Sequence, residues 1–291
     1  LLTNALQTKI NAKRTFAILK YLSTEETQAH IAALGIEAPV LDAFAYLDSA
    51  DNVVYDWHAH PHHQLLYAYA GTLRLETDQH LYLLPPQRAV WIPAGVMHRT
   101  TLNKVRSGSV FLLPALVPTT INRVRVIAAA PIVREMLLFA MRWSQHRPPE
   151  DALANAYFRA LGLLCAEWIM QEMPFHLPVA HTPSLLAAID FTLMNLEQVD
   201  LEQVAQVANC SPRHFSRRFK QETGLEWRQF RLHARLLRAM ELLIEPQVQI
   251  TQVAYAVGFN SLSAFAKAFG VFVGESPSAY RARNQLSLPL I

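Results

Sequence analysis

The sequence predicts an α+β chain of two domains. An N-terminal β-barrel or jelly roll is followed by a helical connection and a C-terminal all-α domain of two helix-turn-helix units. Three observations carry this. From Pro39 to Leu116 the chain falls into short alternating or apolar runs broken by Asp-Asn, Gly, Pro-Pro and Ser-Gly, the pattern of an all-β unit. From Pro131 apolar residues recur at three- and four-residue spacing, as on amphipathic helices. From Asp200 to Arg283 the chain repeats itself. With 291 residues and 52% apolar composition, both domains can bury a core.

Taken in order, the opening LLTNALQTKINAKRTFAILKYL is basic and partly amphipathic, without the long apolar stretch of a secretion signal. Ser23-Thr24-Glu25-Glu26 starts a short helix, Thr24 to Leu34, stopped by Gly35. Six runs then read as strands: VLDAFAYL, NVVYDWHAH, HQLLYAYAGTLRLET, HLYLLPPQRAVWIPA, HRTTLNKV and GSVFLLPAL. Strands at such spacing fit a barrel or double-sheet jelly roll. PIVREMLLFAMRWSQ and EDALANAYFRALGLLCAEWIMQEM read as helices, with a stripe of Leu137, Leu138, Met141, Leu161, Leu164, Trp168 and Ile169. The segment 174–180 reads as a linker, and Pro183 opens the next helix. The domain bounds are therefore 1–125, 126–180 and 181–291.

The repeat is the most informative feature. At an offset of 49, Leu201, Val204 and Ala205 fall on Ile250, Val253 and Ala254. Past the turn the offset is 50, and Ser211, Phe215, Phe219, Gly224, Phe230 and Arg231 fall on Ser261, Phe265, Phe269, Gly274, Tyr280 and Arg281. Each copy reads as helix, tight turn, helix. Asn209-Cys210 turns the first copy, and Ser211-Pro212 caps and opens its second helix. Gly258 turns the second copy, and Asn260 or Ser261 caps its second helix. In the first copy Phe215 and Phe219 turn inward while Arg213, Ser216, Arg217 and Lys220 share another face. Arg218 adds to the charge. In the second copy that face holds Ser263, Ala266, Lys267 and Gly270. Arginine suits bidentate contact with guanine and lysine suits phosphate, so these helices point to DNA. Net charge is only +3 overall, but Arg213 to Arg238 carries eight Lys/Arg against Glu222 and Glu226, a local footprint for a polyanion.

LEQVAQVANCSPRHFSRRFKQETG, the connecting EWRQFRLHARLLRAMELL and ITQVAYAVGFNSLSAFAKAF with its SPSAYR ending resemble the AraC/XylS family of transcriptional regulators. The resemblance covers about a hundred residues. It implies two helix-turn-helix units joined by one long helix, both recognition helices facing successive major-groove segments of double-stranded DNA. Two departures stand out: Asn209 occupies a turn position that often holds Gly, and Gly270 a position that usually holds Lys.

In the β region, HxH…Q…G (His58, His60, Gln64, Gly71) and PxGxxH (Pro93 to His98) resemble the two motifs of the cupin family, a small jelly-roll barrel. That resemblance implies His58, His60, Gln64 and His98 as a metal or effector set, the metal being one divalent transition ion such as zinc or nickel. Gln64 stands where the family has a carboxylate, which lowers the charge of the set and disfavours an iron oxygenase centre. A metal-free pocket is the alternative. His62 and His63 read as loop or rim residues. A metal-dependent cupin enzyme carrying a DNA-binding domain is the rival function, with Glu76 its acid–base candidate.

Two cysteines, Cys165 and Cys210, offer no disulfide framework or zinc cluster. No phosphate-binding glycine loop, dinucleotide fingerprint or Ser-His-Asp nucleophile motif appears among nine glycines. The expectation is a non-enzymatic, cytoplasmic bacterial transcription factor whose barrel senses a small molecule or metal. It is expected to form a homodimer, to meet RNA polymerase if it activates, and to avoid the membrane.

Overall fold

The computed structural model describes residues 20–36, 40–50, 52–84, 88–128, 131–244 and 247–285. All but the last three residues of the basic opening stretch lie outside them, as do Pro39 and the Pro85-Pro86 break.

Strand β1 (Lys20–Leu22) leads into helix α1 (Thr24–Ala33). Ser23 and Glu26 close a reciprocal capping box at its start, and Gly35 ends it at φ +67°. The sheet strands are β2 (Ala43–Ala50), β3 (Val53–His58), β4 (His63–Glu76), β5 (His80–Leu84), β6 (Arg88–Ile92) and β7 (His98–Leu112). Two long strands organise them. The first half of β4 pairs with β6 and its second half with β5, while β7 pairs with β3 early and β2 late. Because β4 and β7 also pair with each other along most of their length, they cross from one sheet to the other and make a double-sheet jelly roll. The crossing in β4 is marked by register shifts between Ala68 and Thr72, with Gly71 at φ +75°; a bulge with a left-handed glycine bends a strand in this way.

Two strand readings change. HLYLLPPQRAVWIPA divides into β5 and β6, and HRTTLNKV and GSVFLLPAL fuse into β7. Gly108 does not break β7. It lies in the pairing, and a Cβ there would stand 3.0 Å from the Tyr69 ring and 3.1 Å from Met141, so the glycine makes room for packing.

Beyond a short 3₁₀ turn (Pro114–Leu116), β8 (Arg125–Ala128) joins β6. Helices α2 (Pro131–Ala140) and α3 (Ala152–Trp168) cover the outer face, burying Leu137, Leu161 and Ile169 against Trp91, Tyr67 and Val110. Leu138, Met141, Leu164 and Trp168 are only half buried. The segment read as a linker is structured: β9 (Glu172–Met173) pairs with β8, and β10 (His176–Pro178) pairs with β5.

The C-terminal helices are α4 (Pro183–Met194), α5 (Leu201–Val207), α6 (Pro212–Thr223), α7 (Trp227–Leu243), α8 (Ile250–Ala256), α9 (Leu262–Val273) and α10 (Pro277–Gln285). The repeat holds to the residue: α5 and α8 have 7 residues each, α6 and α9 have 12 each. Phe215, Phe219, Phe265 and Phe269 are all fully buried, with Phe219 edge-on to Phe230 and Phe269 edge-on to Tyr280. Each such ring contributes about 1.5–3 kcal/mol on leaving water. The barrel and the helical domain share one apolar cluster, in which Phe175 meets Phe272 at 5.6 Å. Arg74 of β4 bonds Glu241 of α7 at 2.8 Å, and Arg88 lies 3.7 Å from Glu275.

Candidate functional site

The barrel histidines come together. A bulge between Tyr55 and His58 sets His58 directly across from His98. His60, just past the strand end, completes the group: ring centroids are 4.2 Å apart for His58–His98, 5.2 Å for His60–His98 and 6.3 Å for His58–His60. Each ring is anchored in the same way. Nδ1 donates to a backbone carbonyl, of Asp56 for His58 (2.7 Å), His62 for His60 (2.7 Å) and Val96 for His98 (2.8 Å). Burial, chiefly, pushes all three below the ordinary imidazole value, His60 to about 4. The rings are therefore neutral near pH 7, and an occupied Nδ1–H leaves each Nε2 with a lone pair. The Nε2 of His98 is buried without a hydrogen-bond partner.

Gln64 joins the group at 3.1 Å from His60 Nε2, and its amide also meets the Ser109 hydroxyl at 2.8 Å. A neutral His60 has no second proton to give. The contact is satisfied when the carboxamide turns its NH2 to His60 and accepts from Ser109 with its oxygen. Ser107 and Ser109, two apart on β7 and both buried, share the inward face with Gln64. Sequence reasoning misses these serines; strand alternation with β4 is the signal that could have found them.

The donor chemistry suits a divalent first-row ion in part: three neutral imidazoles whose Nδ1 atoms are fixed by carbonyls. The acidic fourth ligand is missing, since Gln64 replaces it. Among the described residues, no three His, Cys, Asp or Glu side chains already stand in an arrangement that could hold a metal ion. Glu76 lies elsewhere. It pairs with Arg99, the neighbour of His98 and so on the opposite face of β7.

His62 and His63 are not rim residues; they are 0% and 8% exposed. His62 sits edge-on to Phe44 and Phe111, and His63 accepts the Ala94 N–H at 2.9 Å, tying down the Pro93–His98 turn. A second histidine group, also missed from sequence, forms where β10 meets β5. His176 and His80 are 5.0 Å apart, beside Tyr82.

On the helical domain, Ser211 caps α6 through the His214 N–H and Ser261 caps α9 through Ala264. Asn209 adopts φ +52° and Gly258 φ +85°, so both turns use the left-handed conformation that Asn and Gly tolerate. Arg213, Arg217 and Lys220 are exposed or half exposed on one side of α6, and Ser263 and Lys267 on α9. Arg217 contacts His214 at 3.3 Å, and Lys220 holds Glu226 at 3.1 Å in an exposed pair worth little in water. Ser216 and Arg218 are half buried, and the Ser216 hydroxyl donates to the Pro212 carbonyl. Ser216 therefore keeps only acceptor capacity for a base.

The terminal aromatic–Arg pair of each repeat has a structural cause. Arg231 donates to the Val199 carbonyl, just ahead of α5, and Arg281 to the Leu243 carbonyl, ahead of α8. Each arginine ties its unit to the chain that enters it.

Comparisons with known proteins agree with this architecture. Residues 41–162 match the model of the AraC-like ligand binding domain, and residues 204–283 match a helix-turn-helix domain model. The HTH-type transcriptional regulator NimR of Escherichia coli (strain K12) is 30% identical over 251 residues, covering 83% of this chain and 87% of that protein. The HTH-type regulator YobQ of Bacillus subtilis (strain 168) is 24% identical over 228 residues, 78% of this chain and 89% of that one. The DNA-binding domain of AdpA, known in complex with a target DNA, is 35% identical over 36% of this chain and 95% of its own, with a TM-score of 0.34. By its two matched domains and its likeness to NimR along most of both chains, this protein belongs to the AraC family of helix-turn-helix transcriptional regulators.

Proposed function

We propose that the barrel pocket of His58, His60, Gln64 and His98 receives the effector of this regulator, and that α6 and α9 read its operator. The observation that carries the pocket is the set of three anchored imidazoles with the orphaned Nε2 of His98. Lone pairs in a buried space call for a partner that brings donors, so a small molecule with N–H or O–H groups fits. A divalent ion such as zinc or nickel is the second reading, favoured by the shared Nδ1–carbonyl anchoring, and would need the rings to close by a small shift.

Arg213 and Arg217 are assigned to base edges, Lys220 and Lys267 to phosphates, and Arg218, Ser216 and Ser263 to supporting contacts. Residues 1–125 act as sensor and 181–291 as DNA-binding domain. Residues 126–180 connect them, their strands extending the sensor's sheet and their helices covering it. Exposed Phe139, Leu153 and Leu163 on α2 and α3 support a homodimer through these helices. The working site is the bacterial cytoplasm, with RNA polymerase as a partner if the output is activation. Among the described residues no helix is long and apolar enough to cross a membrane. A catalytic role is not assigned, since Glu76 faces away from the histidines.

Melting of the purified protein with zinc, with nickel, with chelator and with a panel of small donors tests the pocket. A ligand that binds the native state alone raises the melting temperature by mass action. His98→Ala should abolish that rise. A rise that survives His58→Ala, His60→Ala and His98→Ala alike would place the effector elsewhere.

A further inference from the structure

The terminal arginine of each unit holds a backbone carbonyl ahead of that unit, Arg231 that of Val199 and Arg281 that of Leu243, although the two carbonyls do not match in the repeat. Another tie has no counterpart. Arg235, near the middle of α7, donates from Nε to the Leu196 carbonyl at 2.8 Å and from Nη2 to the Glu197 carbonyl at 3.2 Å. These carbonyls belong to the loop between α4 and α5, the scaffold of the first unit. The same guanidinium lies against the second unit. A Cβ on Gly258, in the turn between α8 and α9, would fall 2.4 Å from Nη2, 2.6 Å from Cζ and 2.7 Å from the Glu197 oxygen. Gly224 and Gly274 also have positive φ, yet a Cβ on either would meet nothing within 4 Å. Gly258 is thus demanded twice, by its backbone and by Arg235. The repeat offset of 50 puts Gln285 opposite Arg235, so the repeat carries no second arginine at this place.

Besides Arg281, which donates to the Leu243 carbonyl at the end of α7, this helix joins the units by apolar packing: Trp227 lies against Phe215 and Phe230 against Phe219, and Met240 and Leu243 are buried in the same cluster as Phe265 and Phe269. Apolar packing is non-directional and tolerates sliding better than a planar fork held by two carbonyls. Burial holds the guanidinium pKa down at about 10, with Arg231 adding repulsion; it is still charged at neutral pH.

We propose that Arg235 is a positioning residue that locks the two recognition helices at one separation and one phase, so that the domain measures the spacing between two DNA segments without Arg235 touching DNA. The idea rests on the reading of α6 and α9 as recognition helices. Adding one base pair between the segments moves the second by about 3.4 Å and turns it about 35°. A locked pair of helices cannot follow both changes, whereas a loosened pair can.

The test takes an operator selected from randomised DNA by the full-length protein. It is compared with versions carrying one added or one removed base pair between the segments, and with one whose second segment is scrambled. For the unaltered protein each change should weaken binding about fivefold or more, the loss of at least one base contact. Arg235→Ala should bind the scrambled operator as the unaltered protein does, yet bind all three spacings alike. Arg235→Lys, which keeps the charge without the fork, should recover part of the spacing preference and covers the case in which the alanine variant does not fold. The proposal falls if Arg235→Ala keeps the spacing penalty, or if it loses the same factor on scrambled and intact operators, as a general structural defect would. A selected operator with no second segment would overturn the two-helix reading itself, and this proposal with it.

Discussion

Acid should loosen the contact between strand β10 and the barrel, through His176. Its ring packs against His80 and Tyr82, and its Nδ1 is buried without a hydrogen-bond partner. Burial is the first cause that pushes its pKa down to about 4, with His80 adding to the push and Glu172 opposing it. The folded value thus lies below the unfolded one of about 6.5. Because the folded form binds fewer protons, stability is complete above pH 6.5 and is lost as pH falls toward 4. A fully buried ring would lose about 3 kcal/mol over that range at 1.36 kcal/mol per unit. His176 is partly exposed and close to Glu172, so about 2 kcal/mol is the expected loss. The assay is hydrogen exchange at the amides of β5 and β10, corrected for intrinsic rates, between about pH 6.5 and pH 4.5. Opening should become roughly tenfold or more easier across that window. His176→Phe keeps the aromatic contacts and cannot be protonated, so its strand should resist acid. Equal loosening in both proteins would refute the argument.

Three further outcomes are expected. Arg213→Ala or Arg217→Ala should relax base preference at particular operator positions, each at about 1–3 kcal/mol, while Lys220→Ala weakens all sequences alike and lowers the salt slope by about one. Competition titrations on operator and random DNA at several salt concentrations separate the two behaviours. Selection from randomised DNA should give a strong segment under α6 and a weaker one about ten base pairs away under α9. The reason is that Ala266 and Gly270 offer no hydrogen bonds; segments of equal strength would show the unequal reading to be wrong. Gly162→Ala should cost about 1–3 kcal/mol by overpacking, because its Cβ would fall 2.2 Å from the Leu116 carbonyl; unaltered melting would refute it.

The helical domain was legible almost to the residue because its signals are local. Ser211, Gly224, Ser261 and Gly274 cap their own helices, and a cap is read within four positions. The barrel was legible as a class but not in its seams. Ser107-Gly108 looks like a break, and only Tyr69 and Met141, distant in sequence, explain why the strand continues through it. The convergence of His58, His60 and His98 came from motif and strand period. The burial of His62 and His63 did not, since it depends on Phe44, Phe111 and Trp91 from other strands. The part of Arg235 was hidden for the same reason: its partners lie 23 to 39 positions away, and the repeat provides no counterpart to compare.

Once the apolar and ion-pair contacts that dock the helical domain on the barrel are released, the pairing of β10 with β5 sets how far the DNA-binding domain can travel. Only residues 179–182 separate the end of β10 from the start of α4, a leash of about 14 Å at full extension. Thr182 is further pinned by Glu222 of α6, through its backbone N–H at 2.6 Å and its hydroxyl at 2.7 Å. In the homodimer proposed above, the DNA-binding domains of the two copies would stay as far apart as their barrels dictate while the strand stays zipped. An operator for such a pair is then surveyed by the sensors' geometry, with the helices as fixed probes. Unzipping β10 adds its three residues, about 10 Å of reach, enough to bring sites about three base pairs farther away within range.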